Sequence, residues 1–146
     1  MKPINIYVDG VFDLTHYGHF ALFEKIKTVY PYSTLIIGVS SDEDCIQNKK
    51  KTILTHDERC KMISYCKYVD IILKQIPWII DENFVEKHSI DYICHDPNAY
   101  SQNDIGDIYK KWKDKGIFIG INRLKGISTS NIVNRIKSQH QIQCQN

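Results

Sequence analysis

The run Thr34-Leu35-Ile36-Ile37-Gly38-Val39 has no charged residue and is rich in β-branched residues. It is too short for a buried helix, so it reads as a strand covered on both faces. Four more short runs, mostly apolar, read as strands along the chain: Ile4-Asn5-Ile6-Tyr7-Val8, Val69–Leu73, Asp91-Tyr92-Ile93-Cys94 and Ile117-Phe118-Ile119. Between them lie stretches of helical period. Phe20, Leu22, Phe23, Ile26 and Lys27 fall in the first, which Pro31 stops. Thr55 with Glu58 forms a capping box for a second, which should turn Cys60, Met62, Ile63 and Cys66 inward. Glu82–His88 is a short helix. Asp104–Lys115 is amphipathic, with Ile105, Ile108, Tyr109 and Trp112 on one face and Gly116 as its C-cap. Ser128 or Thr129 caps a last helix that carries Ile132, Val133 and Ile136, and the polar segment after Lys137 is expected to fray. Ser40–Lys51, polar and lysine-rich, reads as a loop. This alternation predicts an α/β fold, a parallel five-stranded sheet with helices on both faces. Ligands of such a sheet sit beyond the carboxyl ends of the strands.

At 146 residues the chain is the size of one domain, read as 1–137 with a polar tail over 138–146. A net charge of +2 is too small for a nucleic-acid partner. No apolar run approaches the roughly 20 residues of a membrane span. A strand begins so early that no signal peptide is expected. The five cysteines, an odd number with no CxxC pair, read as inert thiols of a reducing, cytoplasmic setting.

Chemistry concentrates after the first strand. There Asp9-Gly10-Val11-Phe12-Asp13-Leu14-Thr15 leads into His16-Tyr17-Gly18-His19. Two histidines three residues apart at a helix start share a face, where free N–H groups and the helix dipole favour an anion. Such a pair can also serve as a plain cap. The segment Arg123-Leu124-Lys125-Gly126-Ile127-Ser128-Thr129-Ser130 supplies a second helix start after the fifth strand. Two such sites at one sheet edge suit a polyphosphate.

The HxGH segment and the later Arg…Gly-Ile-Ser-Thr-Ser segment, in this order, resemble the cytidylyltransferase family over roughly residues 4 to 137. The resemblance implies the nucleotidyltransferase variant of the Rossmann fold. It implies transfer of CMP from CTP to a phosphoryl alcohol with release of pyrophosphate. Pro77-Trp78, His95-Asp96 and Tyr100 follow in the order found in the choline-phosphate branch, so choline phosphate is the expected acceptor and CDP-choline, a phospholipid precursor, the product. Ethanolamine phosphate and glycerol 3-phosphate stay open as acceptors. An inactive nucleotide-binding module is the alternative of a different class. Leu124-Lys125 stands where the family has Thr-Glu, replacing a carboxylate with a cation.

The resemblance assigns roles to positions. His16, His19, Lys49 and Arg123 are the catalytic candidates; the register within Lys49–Lys51 is open, and for two of these lysines a solvated loop is the plain reading. Asp9, Gly10, Val11, Phe12, Gly18, Gly126, Ile127, Ser128 and Thr129 are the nucleotide-binding candidates, Gly18 by letting the backbone approach closely. Asp9, Trp78, His95, Asp96 and Tyr100 are the acceptor candidates, because a quaternary ammonium is held by aromatic faces and carboxylates. Trp78 is also readable as a core aromatic, and Arg59 as a local salt-bridge partner. A Mg²⁺ ion bound mainly through the CTP phosphates is expected, its protein ligands unassigned, Asp9 and Asp13 being no more than candidates, and no organic cofactor is expected. A homodimer and no membrane-binding segment complete the expectation.

Overall fold

A computed structural model describes residues 2–99 and 106–145. In chain order its elements are β1 (Asn5–Gly10), α1 (Tyr17–Val29), β2 (Thr34–Ser40), α2 (Asp42–Asn48), α3 (His56–Ser64), β3 (Ile71–Ile76), α4 (Glu82–Lys87), β4 (Tyr92–His95), α5 (Lys110–Asp114), β5 (Phe118–Gly120) and α6 (Thr129–Gln145). The five strands form one sheet in the order β3-β2-β1-β4-β5, and every pairing is parallel. This is the doubly wound α/β arrangement that the alternation predicts. Its strand order reverses at β1, which pairs with β2 on one side and β4 on the other.

Both faces of the sheet are buried. Ile6, Val8, Leu35 and Ile37 pack with Phe23, Ile26 and Ile63 on one face. Tyr7, Ile36, Ile93 and Trp112 form the core of the other. Successive residues of β1 and β2 therefore alternate between two cores, where a polar group without a partner is costly. Gly38 answers a packing demand here: a Cβ at that position would meet the Tyr7 hydroxyl at 2.3 Å and Ile76 Cδ1 at 2.9 Å. That hydroxyl is buried and has no hydrogen-bond partner.

Several elements differ from expectation for local reasons. Asp42–Asn48 is a helix rather than loop. Ser41 caps it by accepting the Asp44 N–H at 3.1 Å, three acidic residues complement the dipole of its first turn, and Cys45 alone is buried. A two-turn helix with one inward residue leaves no periodicity to read. In α3 the buried residues are Arg59, Cys60 and Ile63, whereas Met62 is 40% exposed, so its expected inward direction is corrected. Cys66 lies past the end of α3 and packs on the core from there. β3 sits later than Val69–Leu73 because the Asp70 carboxylate turns the chain into the sheet, accepting Leu35 N–H at 2.7 Å and pairing with Lys27. α5 starts later than the amphipathic stripe suggests; Ile105 of that stripe lies outside the described residues. α6 continues to Gln145, past the expected fraying point at Lys137.

The Gly38 contact has a measurable consequence. Gly38→Ala should cost about 1–3 kcal/mol in urea unfolding, the usual cost of overpacking a core. Tyr7→Phe, which removes an unpartnered hydroxyl, should leave stability near wild type and recover part of the loss in the double variant. Additive losses in the double variant would contradict the assigned contact.

Candidate active site

Beyond the carboxyl ends of β1, β2 and β4 lies a cavity of about 300 Å³. It collects loops from both halves of the sheet, at the point where the strand order reverses. The loop after β1 enters it through two non-glycine residues in the left-handed region, Phe12 at φ 54° and Leu14 at φ 46°. That backbone is costly and persists only where surroundings enforce it. One enforcing contact is Arg59. Its side chain is fully buried; Nη1 donates to the Val11 carbonyl at 2.7 Å and Nη2 to Asp42 Oδ1 at 2.8 Å. Burial pushes the Asp42 carboxyl up, but hydrogen bonds from Arg59 and the His56 amide more than offset this and hold it below its ordinary value. Arg59 is thus no surface salt-bridge partner. It ties α3 to the loop after β1 through the Val11 carbonyl and to α2 through the ion pair with Asp42.

His16 and His19 cap α1 reciprocally. His16 Nδ1 accepts the Gly18 N–H at 3.1 Å, and His19 Nδ1 accepts the His16 N–H at 3.2 Å. This is a capping box built from two imidazoles, with ring centroids 3.9 Å apart. Because both Nδ1 atoms accept, each neutral ring carries its proton on Nε2 and keeps one N–H to donate. Burial pushes the His16 pKa down. Burial first, then the charges of His16 and Arg123, push His19 down to about 4. Gly18 has its own constraint. A Cβ there would meet the His16 ring and Ile127 Cγ2, each at 2.9 Å. Ile127 of the downstream segment therefore packs directly on the HxGH turn, and the two motifs form one wall.

The downstream segment turns at Gly126, whose φ of +91° lies in the left-handed region. Ser128 caps α6, its Oγ accepting the Asn131 N–H at 3.1 Å. Thr129 donates its hydroxyl to the Asp13 carbonyl at 2.8 Å, so that proton is committed inside the protein. Lys49, Lys50 and Lys51 all border the cavity. Lys49 is the one whose ammonium lies over Trp78, 5.7 Å from the ring centroid. Packing around that ammonium, then Arg123, holds its pKa below the ordinary lysine value. Arg123 Nε lies 3.6 Å from Asp96 Oδ2.

A second cluster floors the cavity. Asp9 is buried, and Tyr109 donates its hydroxyl to Asp9 Oδ1 at 2.5 Å. The His95 ring stacks on Tyr109 with centroids 4.6 Å apart and brings Nε2 to 4.0 Å from the same carboxylate oxygen. Burial pushes the Asp9 pKa up and that of His95 down. Of the acceptor candidates, Asp9, Trp78, His95 and Asp96 border this cavity, whereas Tyr100 lies outside the described residues. Of the nucleotide-binding candidates, Gly10, Val11, Phe12, Gly18, Ile127, Ser128 and Thr129 border it too, whereas Gly126 is not among its lining residues. Tyr109 is a site residue that the helical stripe hid. A tyrosine in an apolar face reads as core, and nothing local shows that its hydroxyl meets a carboxylate 100 positions earlier.

Among the described residues, no group of three or more His, Cys, Asp or Glu side chains is placed to hold a metal ion. Asp13 has its carboxylate oxygens on the amides of Ile53, Leu54 and Leu14. Asp9 is engaged with Tyr109. Nor is any helix among the described residues long and apolar enough to cross a membrane.

The Cytidylyltransferase-like family model matches residues 7–135. The choline-phosphate cytidylyltransferase of Saccharomyces cerevisiae is 42% identical over 135 residues, 92% of this chain and 32% of that protein. An ethanolamine-phosphate cytidylyltransferase of Dictyostelium discoideum is 32% identical over 135 residues, 92% of this chain and 37% of that protein. The chain thus spans about a third of the length of these curated relatives. Among solved structures, the lipopolysaccharide core biosynthesis protein of Thermoplasma volcanium shares the fold with a TM-score of 0.64 at 24% identity, covering 87% of this chain and all of that one.

The histidine box predicts a pH dependence. The folded state holds His19 near 4, below the ordinary histidine value, so the unfolded chain takes up the proton first as pH falls. Stability from this group should be full above about pH 6.5 and decline toward pH 4. His19→Gln keeps an acceptor at the third helical position but does not titrate. Urea midpoints measured from pH 7.5 to 4.5 should fall less steeply for it than for wild type. Equal slopes would refute the assignment.

Proposed function

The chain belongs to the cytidylyltransferase-like family, and on that premise we propose that it transfers CMP from CTP to a phosphoryl alcohol, with choline phosphate the favoured acceptor. The observation that carries this reading is the single wall formed where Ile127 packs on Gly18. It brings the imidazole pair and the start of α6 to one cavity that Lys49 and Arg123 also border. Two helix starts, two neutral N–H donors and two cations suit a triphosphate.

In this reaction an oxygen of the acceptor phosphate bonds to the α-phosphorus as the bond to the β-phosphate oxygen breaks. Pyrophosphate leaves opposite the incoming oxygen. The acceptor is already an anion, so no base has to make the nucleophile. The protein positions the two phosphates and stabilises the charge that builds on them. His16 and His19 donate through Nε2. Lys49 neutralises phosphate charge beside the acceptor, and Arg123 clamps phosphate oxygens. A Mg²⁺ ion held mainly through the CTP phosphates would neutralise their charge and that of the leaving pyrophosphate.

Choline phosphate is favoured on two grounds. The Trp78 face already carries an ammonium, that of Lys49. The buried Asp9 carboxylate supplies negative charge in the same cavity. Aromatic face and carboxylate together hold a cation that has no N–H to donate. A homodimer and a reducing, cytoplasmic setting belong to the same reading. Free cysteines at 45, 60, 66, 94 and 144 support the setting. The exposed apolar Tyr17 and Ile53 beside the imidazole turn support an interface.

Incubation with CTP, Mg²⁺ and each phosphoryl alcohol in turn tests the reading by pyrophosphate release. Release is expected with choline phosphate, and more slowly with ethanolamine phosphate or glycerol 3-phosphate. A preference for ethanolamine phosphate would overturn the cation argument. Nucleotide binding without release from any acceptor would make the chain an inactive binding module. His16→Ala should lower turnover by about 10²–10³, the usual cost of one lost donor to a developing charge.

A further inference from the structure

The cavity wall that carries the lysines is tied down by charge as well as by packing. Segment 49–54 leaves α2 at Lys49, whose N–H is on the Cys45 carbonyl at 2.9 Å. At its far end Ile53 N–H donates to Asp13 Oδ2 at 2.8 Å, and Leu54 N–H to Asp13 Oδ1 at 2.9 Å. These partners are 40 and 41 positions away in sequence. The carbonyl of the same residue accepts the Thr129 hydroxyl from 116 positions away, at the start of α6. Asp42 works in parallel from the other side. It accepts the Thr52 hydroxyl at 3.3 Å and the His56 N–H at 3.0 Å while paired with Arg59. Asp13 is buried, and hydrogen bonds from amides to a buried carboxylate are among the stronger ones.

We propose that Asp13 is a positioning residue whose carboxylate holds the lysine-bearing segment 49–54, and whose carbonyl holds the start of α6, at the spacing a nucleotide triphosphate requires. It lines the cavity itself, with its carboxylate oxygens taken up by the amides of Leu14, Ile53 and Leu54. It acts through Lys49–Lys51 and through Ser128 and Thr129, all of which border the cavity. The proposal rests on the nucleotide reading of that cavity, and it separates two roles that an aspartate in a phosphate loop could have. A metal ligand must keep lone pairs facing the ligand, whereas the Asp13 oxygens are directed at backbone amides.

The test uses CTP affinity by titration calorimetry, which needs no turnover, and amide exchange on the same samples. Asp13→Asn sets an NH₂ group against an N–H, so CTP should bind at least about tenfold more weakly, and Ile53 and Leu54 should exchange faster while the β1 amides do not. Asp13→Glu keeps the charge but moves it by one methylene, and it too should bind CTP more weakly. This second variant serves if the first fails to fold. In turnover, KM for CTP should rise. Asp70→Asn, which cuts an amide-to-carboxylate contact at the opposite end of the strands, should lower stability with no change in CTP affinity. Wild-type affinity in Asp13→Glu, or faster exchange at Ile53 and Leu54 with unchanged CTP affinity, would overturn the proposal. Wild-type protein that binds CTP but releases no pyrophosphate would overturn the reaction and leave this proposal to the calorimetric result. Failure of wild type to bind CTP would overturn both.

Discussion

Everything at the site depends on β1 being enclosed. It has a strand on each side and a core on each face, with Tyr7 fully buried on one face and Ile6 and Val8 on the other. A strand so placed can end only at the sheet edge, and its last residues, Asp9 and Gly10, are delivered between the ends of β2 and β4. The loop that follows then has little freedom. It passes Phe12 and Leu14 in left-handed conformations, is held at Val11 by a buried guanidinium, and becomes helix only at Tyr17. The geometry of the cavity wall follows from where the strand has to stop.

Polar groups impose the remaining order, and they do so in pairs at a distance. Arg59 with Asp42, Asp13 with the amides of Ile53 and Leu54, and Tyr109 with Asp9 each join parts of the chain far apart in sequence. Each is buried enough that leaving one partner unpaired would be expensive. Such pairs do more than hold the fold together. They set the distances between loops that would otherwise drift at a solvent-facing sheet edge.

This division explains what could be read from sequence. Strand positions, helix starts with capping boxes and the two motifs are written locally, as apolar runs, side-chain caps and spacing. Thr55 with Glu58 announces α3, and Ile36 and Ile37 announce a strand buried on both faces. What escaped reading lies between distant segments. Tyr109 belongs to an apolar stripe until its hydroxyl meets Asp9. Arg59 neighbours a capping glutamate, but its partners are Val11 and Asp42. Gly18 borders the cavity as its motif suggests, but that the His16 ring and Ile127 fill the space beside it is not written locally. α2 was hidden because one buried cysteine in two turns makes no pattern.

The reciprocal histidine cap also fixes the proton inventory of the cavity. Each ring spends its Nδ1 lone pair on a backbone amide and enters with a single proton on Nε2. A ring of that kind can share a hydrogen bond but has no surplus proton to release near neutral pH. In the proposed reaction pyrophosphate would therefore depart as a full anion, and the acceptor would arrive as one. The chemistry would be neutral in protons from start to finish within the wall of the site. Charge compensation would then fall to the cations Lys49 and Arg123 and to the starts of α1 and α6.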